Sequence, residues 1–431
     1  MQLKLLNFYK FLSNFANNLV GAFVPLIIFI ETGELYVAFL YLVIHHAIKI
    51  VINYALKNQL RKRPQVFLIL RVFTLTGYSV FILLIEKYLW LSVVGICVFL
   101  AFDSSFKLSA NEIIYNYSSL NKNTDSLGIT RVFEQLGIII SLLIGGFLVD
   151  INRELVVIIS LALYGVAVIP LVIYYIKSKK SSLFNKEAVS NALLTFEKNL
   201  EHTAFGKKLI FHILLTYCTV YFIFSTFDVV RTIYSFDLFI SGSPSYGQVG
   251  ILGAIFNGMY GVGSYFAGKL NDKYDIMWLV RLTCVIMGTS VLCLSFVNNM
   301  MVVYLLFGLM GGFYPFLSLF VFQRLIVKSR ILGVSNSALL ARDNSAVTSY
   351  TFMYGTALIC SLFPVVTLVP VYIIIGILLF VSAYYIPKAE ERTRKLLVDF
   401  LQNNEIQNEI KNSKPRIRRR RKATTAKETK S

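Results

Sequence analysis

The chain is built of long apolar runs separated by short polar stretches. A helix that crosses a bilayer needs about 20 consecutive apolar residues, and most of the runs reach that length. The runs are continuously apolar, whereas the strands of a membrane β-barrel would alternate apolar and polar residues over about 10 positions. The pattern therefore predicts an all-α integral membrane protein.

Window hydropathy predicts twelve transmembrane helices. They cover residues 5–30, 35–56, 66–85, 88–113, 127–149, 154–176, 208–235, 247–268, 276–296, 300–323, 345–363 and 367–386. The predicted domains are an N-terminal six-helix bundle (1–176), a cytoplasmic linker with an amphipathic helix (177–207), a C-terminal six-helix bundle (208–387) and a basic cytoplasmic tail (388–431). Within the tail we expect a helix over 388–414 and disorder after it.

Composition supports a membrane protein, and the location of the basic residues explains the positive net charge. Only 15% of the residues are charged, against roughly 25% in a soluble domain. The net charge is +19, but Lys and Arg gather in the tail and in the loops on the same side of the membrane as the N-terminus. The opposite loops hold only Lys87 and Arg153. By the positive-inside rule, both termini face the cytoplasm and the protein lies in the cytoplasmic membrane.

The partners expected from this pattern are lipids and a small solute. Basic loops and a basic tail attract anionic lipid, and we expect neither nucleic acid nor a second copy of the chain as a partner. The five Cys residues are scattered singly in apolar runs. That spacing indicates neither a metal site nor a disulfide framework, so neither a metal nor a cofactor is expected.

The two halves carry traces of one repeated unit. The segment "NQLRKRPQVFLILR" (58–71) aligns without a gap with "GKLNDKYDIMWLVR" (268–281), so that Arg71 falls on Arg281. Arg131 and Arg342 each stand at the entry to the fifth helix of their half. Internal repeats are typical of transporters, which bind substrate between the halves near the middle of the membrane.

The segment "GKLNDKYD" resembles a motif of the major facilitator superfamily, found between the second and third helices and again between the eighth and ninth. The matching residues are Gly268, Leu270, Asp272 and Lys273, whereas Asp275 replaces a later Gly. The resemblance implies twelve helices in two pseudo-symmetric bundles that rock around a central site. It also implies an inner gate, in which Asp272 reaches the start of the fifth helix near residues 128–131.

The same loop leaves an enzyme open as an alternative. "NDKYD" fits the N-D-x-x-D pattern of membrane prenyltransferases, in which Asp272 and Asp275 would hold Mg²⁺ and a diphosphate. Such enzymes need a second Asp-rich loop, and the chain has none. We therefore expect a secondary transporter without enzymatic activity, with the prenyltransferase and a non-transporting scaffold as alternatives.

Ionisable residues at bilayer depth are costly and usually functional. The candidates for substrate binding or proton coupling are Asn17, His45, Lys49, Asp103, Lys107, Arg131, Glu134, Asp228 and Arg231. Asp103 or Glu134 is expected to gain and lose a proton. Asp103 and Lys107 form either a functional pair or a self-neutralising ion pair, and Asp228 and Arg231 form a structural pair or an outer gate. Charges of both signs nearly balance, so the charge of the substrate stays open.

Two further arginines are expected to lie outside the site. Arg71 and Arg281 stand near the inner edge of the third and ninth helices. Long basic side chains at such positions reach the aqueous interface.

Overall fold

A computed structural model shows the chain as a bundle of long helices. No strand occurs among the residues that the structure describes. These residues are 2–62, 64–117, 123–180, 204–240, 245–271, 277–297, 299–331, 335–363 and 367–428.

The helices fall into two consecutive sets, which we number as spans in chain order. The first six spans are Gln2–Val20 with Val24–Thr32, Leu35–Lys62, Pro64–Leu83, Leu89–Tyr117, Asn123–Ile151 and Arg153–Lys180. The seventh to twelfth are Ala204–Ser225 with Val230–Ile240, Tyr246–Asn271, Met277–Leu294, Met300–Ile331, Ser335–Ser361 and Val369–Glu428. The ends predicted to face the cytoplasm are called inner ends below, and the opposite ends outer ends.

The first span of each half is interrupted. Residues 21–23 form a turn within the first span, and a 3₁₀ turn, Thr226–Val229, interrupts the seventh. Broken helices at membrane depth are tolerated where they are buried in protein or line a cavity. The break in the seventh span places Asp228 on the irregular turn.

Helix packing repeats between the halves. In the first half, the first span packs on the fifth and sixth, the fourth on the second and third, and the third on the sixth. The equivalent pairs of the second half make the same contacts. The halves meet where the fifth span packs on the eighth and the second on the eleventh. The predicted all-α fold of two pseudo-symmetric six-helix bundles is therefore confirmed.

Eleven helices in the described part of the chain are long and apolar enough to cross a membrane. The eleventh span is absent from this set, although it has 27 residues. The prediction began this span at residue 345 and left Arg342 in a loop, whereas the helix starts at Ser335. Hydropathy missed the start of this span because it is polar, and two of its polar residues, Asp343 and Asn344, contact the other half of the protein instead of lipid.

The part of the twelfth helix that follows the predicted span (367–386) also differs from the prediction. The last helix continues without a break to Glu428, where disorder was expected after residue 414. Lys, Arg, Ala and Glu, which are common in this segment, are good helix formers. The predicted amphipathic helix of the linker lies outside the described residues, because 181–203 are not among them.

At the outer ends, the halves touch through glycines. A Cβ atom on Gly250 would lie 2.3 Å from the carbonyl oxygen of Leu142, and one on Gly146 would lie 2.5 Å from that of Tyr246. Close helix contacts in membranes rely on such small residues. Asp150 adds a polar contact, since its carboxylate accepts hydrogen bonds from the backbone N–H groups of Tyr246 (3.0 Å) and Gly247 (2.9 Å).

A Gly250→Ala protein should lose this closed outer end. The added methyl group requires the fifth and eighth spans to separate by about 1 Å, and overpacking of this kind costs about 1–3 kcal/mol. We expect a lower unfolding midpoint and faster labelling of an added Ser235→Cys residue from the outside.

Gly165→Ala is the matched control, because nothing lies within 4 Å of a Cβ atom at that position. It should be neutral or slightly stabilising, since Ala favours helix by about 1 kcal/mol over Gly. Equal effects of the two substitutions would contradict the role of Gly250 in outer closure.

Candidate functional site

A cavity of about 350 Å³ lies between the two halves. Its volume falls in the range of roughly 300–1,000 Å³ that is usual for ligand pockets. The fifth span of the first half and the seventh, eighth, tenth and eleventh spans of the second half form its walls. Its charged lining residues are Arg131, Asp228, Arg231 and Arg342.

Glu134 lies behind the cavity wall between two cations. Lys10 Nζ approaches its Oε1 at 2.5 Å, and Arg131 Nη1 approaches its Oε2 at 2.7 Å. Lys10 and Glu134 are both buried. Arg131 is about one-third exposed, so it connects this buried cluster to the cavity. Because two cations meet one carboxylate, the cluster keeps an excess positive charge.

Asp103 is paired with Arg71, and not with Lys107. Arg71 Nε lies 2.7 Å from Asp103 Oδ1, and Arg71 Nη1 lies 3.5 Å from Ser13 Oγ. Arg71 is only 1% exposed, so the prediction that it reaches the interface was wrong. The planar guanidinium matches the two oxygens of a carboxylate better than an ammonium does. Among the described residues, no ion pair joins Asp103 to Lys107.

Asp228 and Arg231 both line the cavity but do not form the predicted pair. The described residues include no ion pair between them. Asp228 Oδ2 instead accepts a hydrogen bond of 2.6 Å from the hydroxyl of Tyr350 on the eleventh span. The 3₁₀ turn directs Asp228 towards the eleventh span, which favours this partner over a neighbour three residues along the chain.

A polar contact joins the halves on the inner side of the cavity. Lys49 Nζ lies 3.2 Å from Asp343 Oδ2. Asn53 Nδ2 donates to Asp343 Oδ2 at 2.9 Å and to Asn344 Oδ1 at 2.8 Å. Lys49 and Asn53 belong to the second span, and Asp343 and Asn344 belong to the eleventh. The contact must therefore break whenever the inner ends separate.

An Asp343→Ala protein should open more readily at its inner end. Hydrogen bonds to charged groups contribute about 1.5–3 kcal/mol, so we expect the ratio of closed to open inner ends to fall about tenfold or more. Spin labels on Gln59→Cys and Leu340→Cys would report this opening as a longer distance between the second and eleventh spans.

Glu391→Ala serves as the control, since it removes an ion pair with Lys395 that is exposed on the last helix. An exposed pair contributes about 0–1 kcal/mol, so the label distances should stay as they are. Unchanged distances in Asp343→Ala as well would rule out Asp343 as an inner gate.

The remaining candidates in the first half lie away from the cavity lining. His45 is buried, and its Nδ1 lies 3.5 Å from the carbonyl oxygen of Cys97. The adjacent His46, which is not one of these candidates, has its ring stacked on Tyr354 of the other half, with centroids 5.6 Å apart. Asn17 Oδ1 accepts a hydrogen bond of 3.2 Å from the hydroxyl of Tyr164. Their roles in transport stay predictions.

The predicted inner-gate motif is only partly described. Gly268 is buried in the last turns of the eighth span, and Leu270 packs against the hydrophobic core. Asp272 and Lys273 lie outside the described residues. The contact of Asp272 with the start of the fifth span therefore stays a prediction.

Sequence analysis missed three residues at the centre of the protein. Lys10 was assigned no role, and neither Arg342 nor Asp343 was considered a site residue. The repeat contained one usable signal, because Arg342 aligns with Arg131 and Arg131 was already a candidate.

A multi-pass membrane protein with two six-helix bundles around a polar cavity has the architecture of a solute transporter. Residues 6–341 match the Major Facilitator Superfamily, and the chain belongs to this family. No curated protein shows a significant sequence match to the chain.

Several solved transporters share the fold. A bacterial homologue of the iron transporter ferroportin, in its outward-facing state, has a TM-score of 0.61 and 12% identity over 92% of this chain and 99% of that chain. The human organic anion transporter MFSD10 (TETRAN) has a TM-score of 0.61 and 10% identity, covering 89% and 98%. The proton:xylose symporter XylE has a TM-score of 0.65 and 12% identity, covering 90% and 94%. At these identities the likeness shows the fold only.

Proposed function

We propose that this protein is a secondary active transporter that moves a small solute across the cytoplasmic membrane by alternating access. The observation that carries the proposal is the cavity of about 350 Å³ between the halves. Residues of both halves line it, so rocking of the bundles would expose a bound solute to each side in turn.

The contacts between the halves support the alternating motion. The outer contact combines glycine packing with hydrogen bonds from the start of the eighth span to Asp150, at the end of the fifth. The inner contact joins Lys49 and Asn53 to Asp343. The two lie at opposite ends of the spans, so one can break while the other holds.

We further propose that transport is coupled to protons. Glu134 is the carboxylate that we assign to it, because Arg131 links Glu134 to the cavity. A solute or a helix motion that draws Arg131 away would leave Glu134 with Lys10. Loss of one cation favours uptake of a proton by a carboxylate.

The names of the structural neighbours do not select a solute for this chain. They refer to iron, organic anions and xylose with protons. The described residues contain no group of three or more His, Cys, Asp or Glu side chains that could hold a metal ion.

Transport is tested by reconstituting the full chain in liposomes and recording charge movement on a solid-supported membrane. A panel of sugars, amines, carboxylates and phosphates would be applied with and without a pH step. A solute-dependent current, reduced in a protein that carries Arg342→Gln, supports the proposal. No current and no exchange of any panel solute would favour a scaffold.

The prenyltransferase alternative has a distinct outcome in the same preparation. A rise in the thermal unfolding midpoint of the protein that requires both Mg²⁺ and a prenyl diphosphate would favour the enzyme. This rise should disappear in Asp272→Asn. No finding supports this alternative, whereas the family and its solved relatives are transporters.

A further inference from the structure

The cavity between the halves is more basic than the nearly balanced charge of the spans suggested. Three arginines line it, Arg131, Arg231 and Arg342, against one carboxylate, Asp228. The carboxylate already accepts a hydrogen bond from Tyr350. Asp103 and Asp343 are occupied elsewhere, by Arg71 and Lys49.

Arg131 and Arg342 form a pair that the repeat brings to one place. Each occupies the equivalent position near the inner end of the fifth span of its half. Gln135 and Ala346, one helical turn further along, also line the cavity. Tyr221 lines the same cavity as both arginines. One arginine from each half therefore faces the same space.

Arg342 has no acidic partner in the described part of the chain. Its guanidinium carbon lies 5.5 Å from the ring centre of Tyr221 and 4.8 Å from that of Phe322. Its Nε atom is buried and has no hydrogen-bond partner. Arg342 as a whole is only partly buried, but leaving a buried polar group unpaired is costly. Arg342 thus packs against aromatic rings while its Nε–H group has no partner among the described residues.

Three further buried polar atoms of the cavity lining have no hydrogen-bond partner among the residues that the structure describes. They are the hydroxyl oxygens of Tyr221 and Ser318 and Oε1 of Gln135. Buried polar atoms are normally hydrogen-bonded, so their concentration around the two arginines indicates a bound polar group. The two hydroxyls and Arg342 Nε can donate hydrogen bonds to an anion, whereas Gln135 Oε1 only accepts and would bind a donor group or water.

Further from Arg131 and Arg342, the lining carries several apolar side chains beside Asp228 and Arg231. The apolar ones are Phe224, Phe227, Phe256, Phe307 and Met310. An aromatic or aliphatic group would be stabilised against these side chains by burial.

We propose that the cavity binds an organic anion, whose charged group lies between Arg131 and Arg342 and whose apolar body lies against the phenylalanines. The proposal rests on the proposed function, since it names the class of solute for that site. Because the arginines belong to different halves, the bound anion connects the halves at the inner part of the cavity. Guanidinium groups bind carboxylate, sulfonate and phosphate oxygens alike, so the shared feature is the anionic head.

The test measures thermal unfolding of the purified full chain with matched probes. Three of them share one body and differ in charge: 3-phenylpropionate, 3-phenylpropylamine and 3-phenyl-1-propanol. Benzenesulfonate and phenyl phosphate vary the anionic head. We expect at least one of the anions to raise the unfolding midpoint, while the amine and the alcohol leave it unchanged.

Variants locate the site. Arg342→Gln and Arg131→Gln should each weaken binding of the protective anion at least tenfold, and Arg342→Lys should restore part of the loss. Arg281→Gln is the matched control, because it removes the same charge from an exposed position on the ninth span. It should leave anion binding unchanged.

A second pair of variants covers the case in which loss of an arginine prevents folding. Tyr221→Phe and Ser318→Ala remove hydroxyls that have no partner in the described part of the chain, so the unliganded protein should remain as stable as before. Anion binding should weaken severalfold in each. Binding that is unchanged in both would overturn the proposal.

Other outcomes also separate this proposal from the proposed function. Protection by the amine or the alcohol equal to that of the anions, or no protection by any anion, would overturn the anion site. If liposomes that contain the protein exchange the amine or the alcohol but none of the anions, the transporter proposal holds and the anion proposal is refuted. Anion binding without exchange of any solute would keep the site and refute transport.

Discussion

An Asp103→Ala protein should lose most of its folded population. The substitution leaves Arg71, which is 1% exposed, without its acidic partner. Removing one member of a buried ion pair costs about 3–5 kcal/mol, a large share of the stability of most proteins. We expect a much lower yield of monodisperse protein in detergent and a marked fall of the unfolding midpoint.

The loss should be specific to the unpaired charge. Replacing both partners by apolar residues, Arg71→Met with Asp103→Leu, removes the charge and the need for a partner. Buried ion pairs replaced in this way are often neutral or more stable, so the double variant should fold. Asp399→Ala, at an exposed position on the last helix, is the control and should be neutral.

The double variant also decides what the pair does. If the pair has only a structural role, the double variant should transport as well as the natural protein. If Asp103 takes part in coupling, the double variant should fold and fail to transport. A stable Asp103→Ala single variant would contradict the importance of the pair.

Hydropathy predicted the helices because lipid contact requires apolar side chains. The repeat predicted the two bundles because equivalent positions of the halves still carry similar residues. Lipid-facing helices must be apolar along their length, and the equivalent positions of Arg131 and Arg342 remained recognisable. The repeat gave less guidance at Arg71 and Arg281. The first is buried against Asp103, whereas the second is exposed.

The pairing of charges could not be predicted from sequence spacing. Lys107 stands four residues from Asp103, which favours a pair within one helix. The observed partner, Arg71, comes from the neighbouring third span. Asp343 escaped notice because the eleventh span is polar where it contacts the second. Such contacts depend on how helices pack, and a single run of sequence does not contain that information.

Glu134→Gln should separate solute exchange from proton-driven accumulation. The carboxylate of Glu134 contacts Lys10 and Arg131, and glutamine keeps its shape without being able to carry a proton. In liposomes with an imposed pH gradient, accumulation of the solute found by the electrophysiological screen should fall at least tenfold. The substitution also removes the charge that pairs with buried Lys10, so the unfolding midpoint should fall and exchange must be compared per amount of folded protein. Per folded protein, exchange without a gradient should persist, since exchange needs no net proton movement.

The physical reason is that Glu134 joins a buried cation to a cation of the cavity. In the proposed coupling, Arg131 would exchange its ion pair with Glu134 for one with an anionic solute, so that binding of the solute would release Glu134. Glu154→Gln is the control, because Glu154 is exposed in the first turn of the sixth span. Accumulation that survives in Glu134→Gln would assign proton coupling to another carboxylate, and Asp228→Asn would be the next variant to measure, since Asp228 is the carboxylate that lines the described cavity.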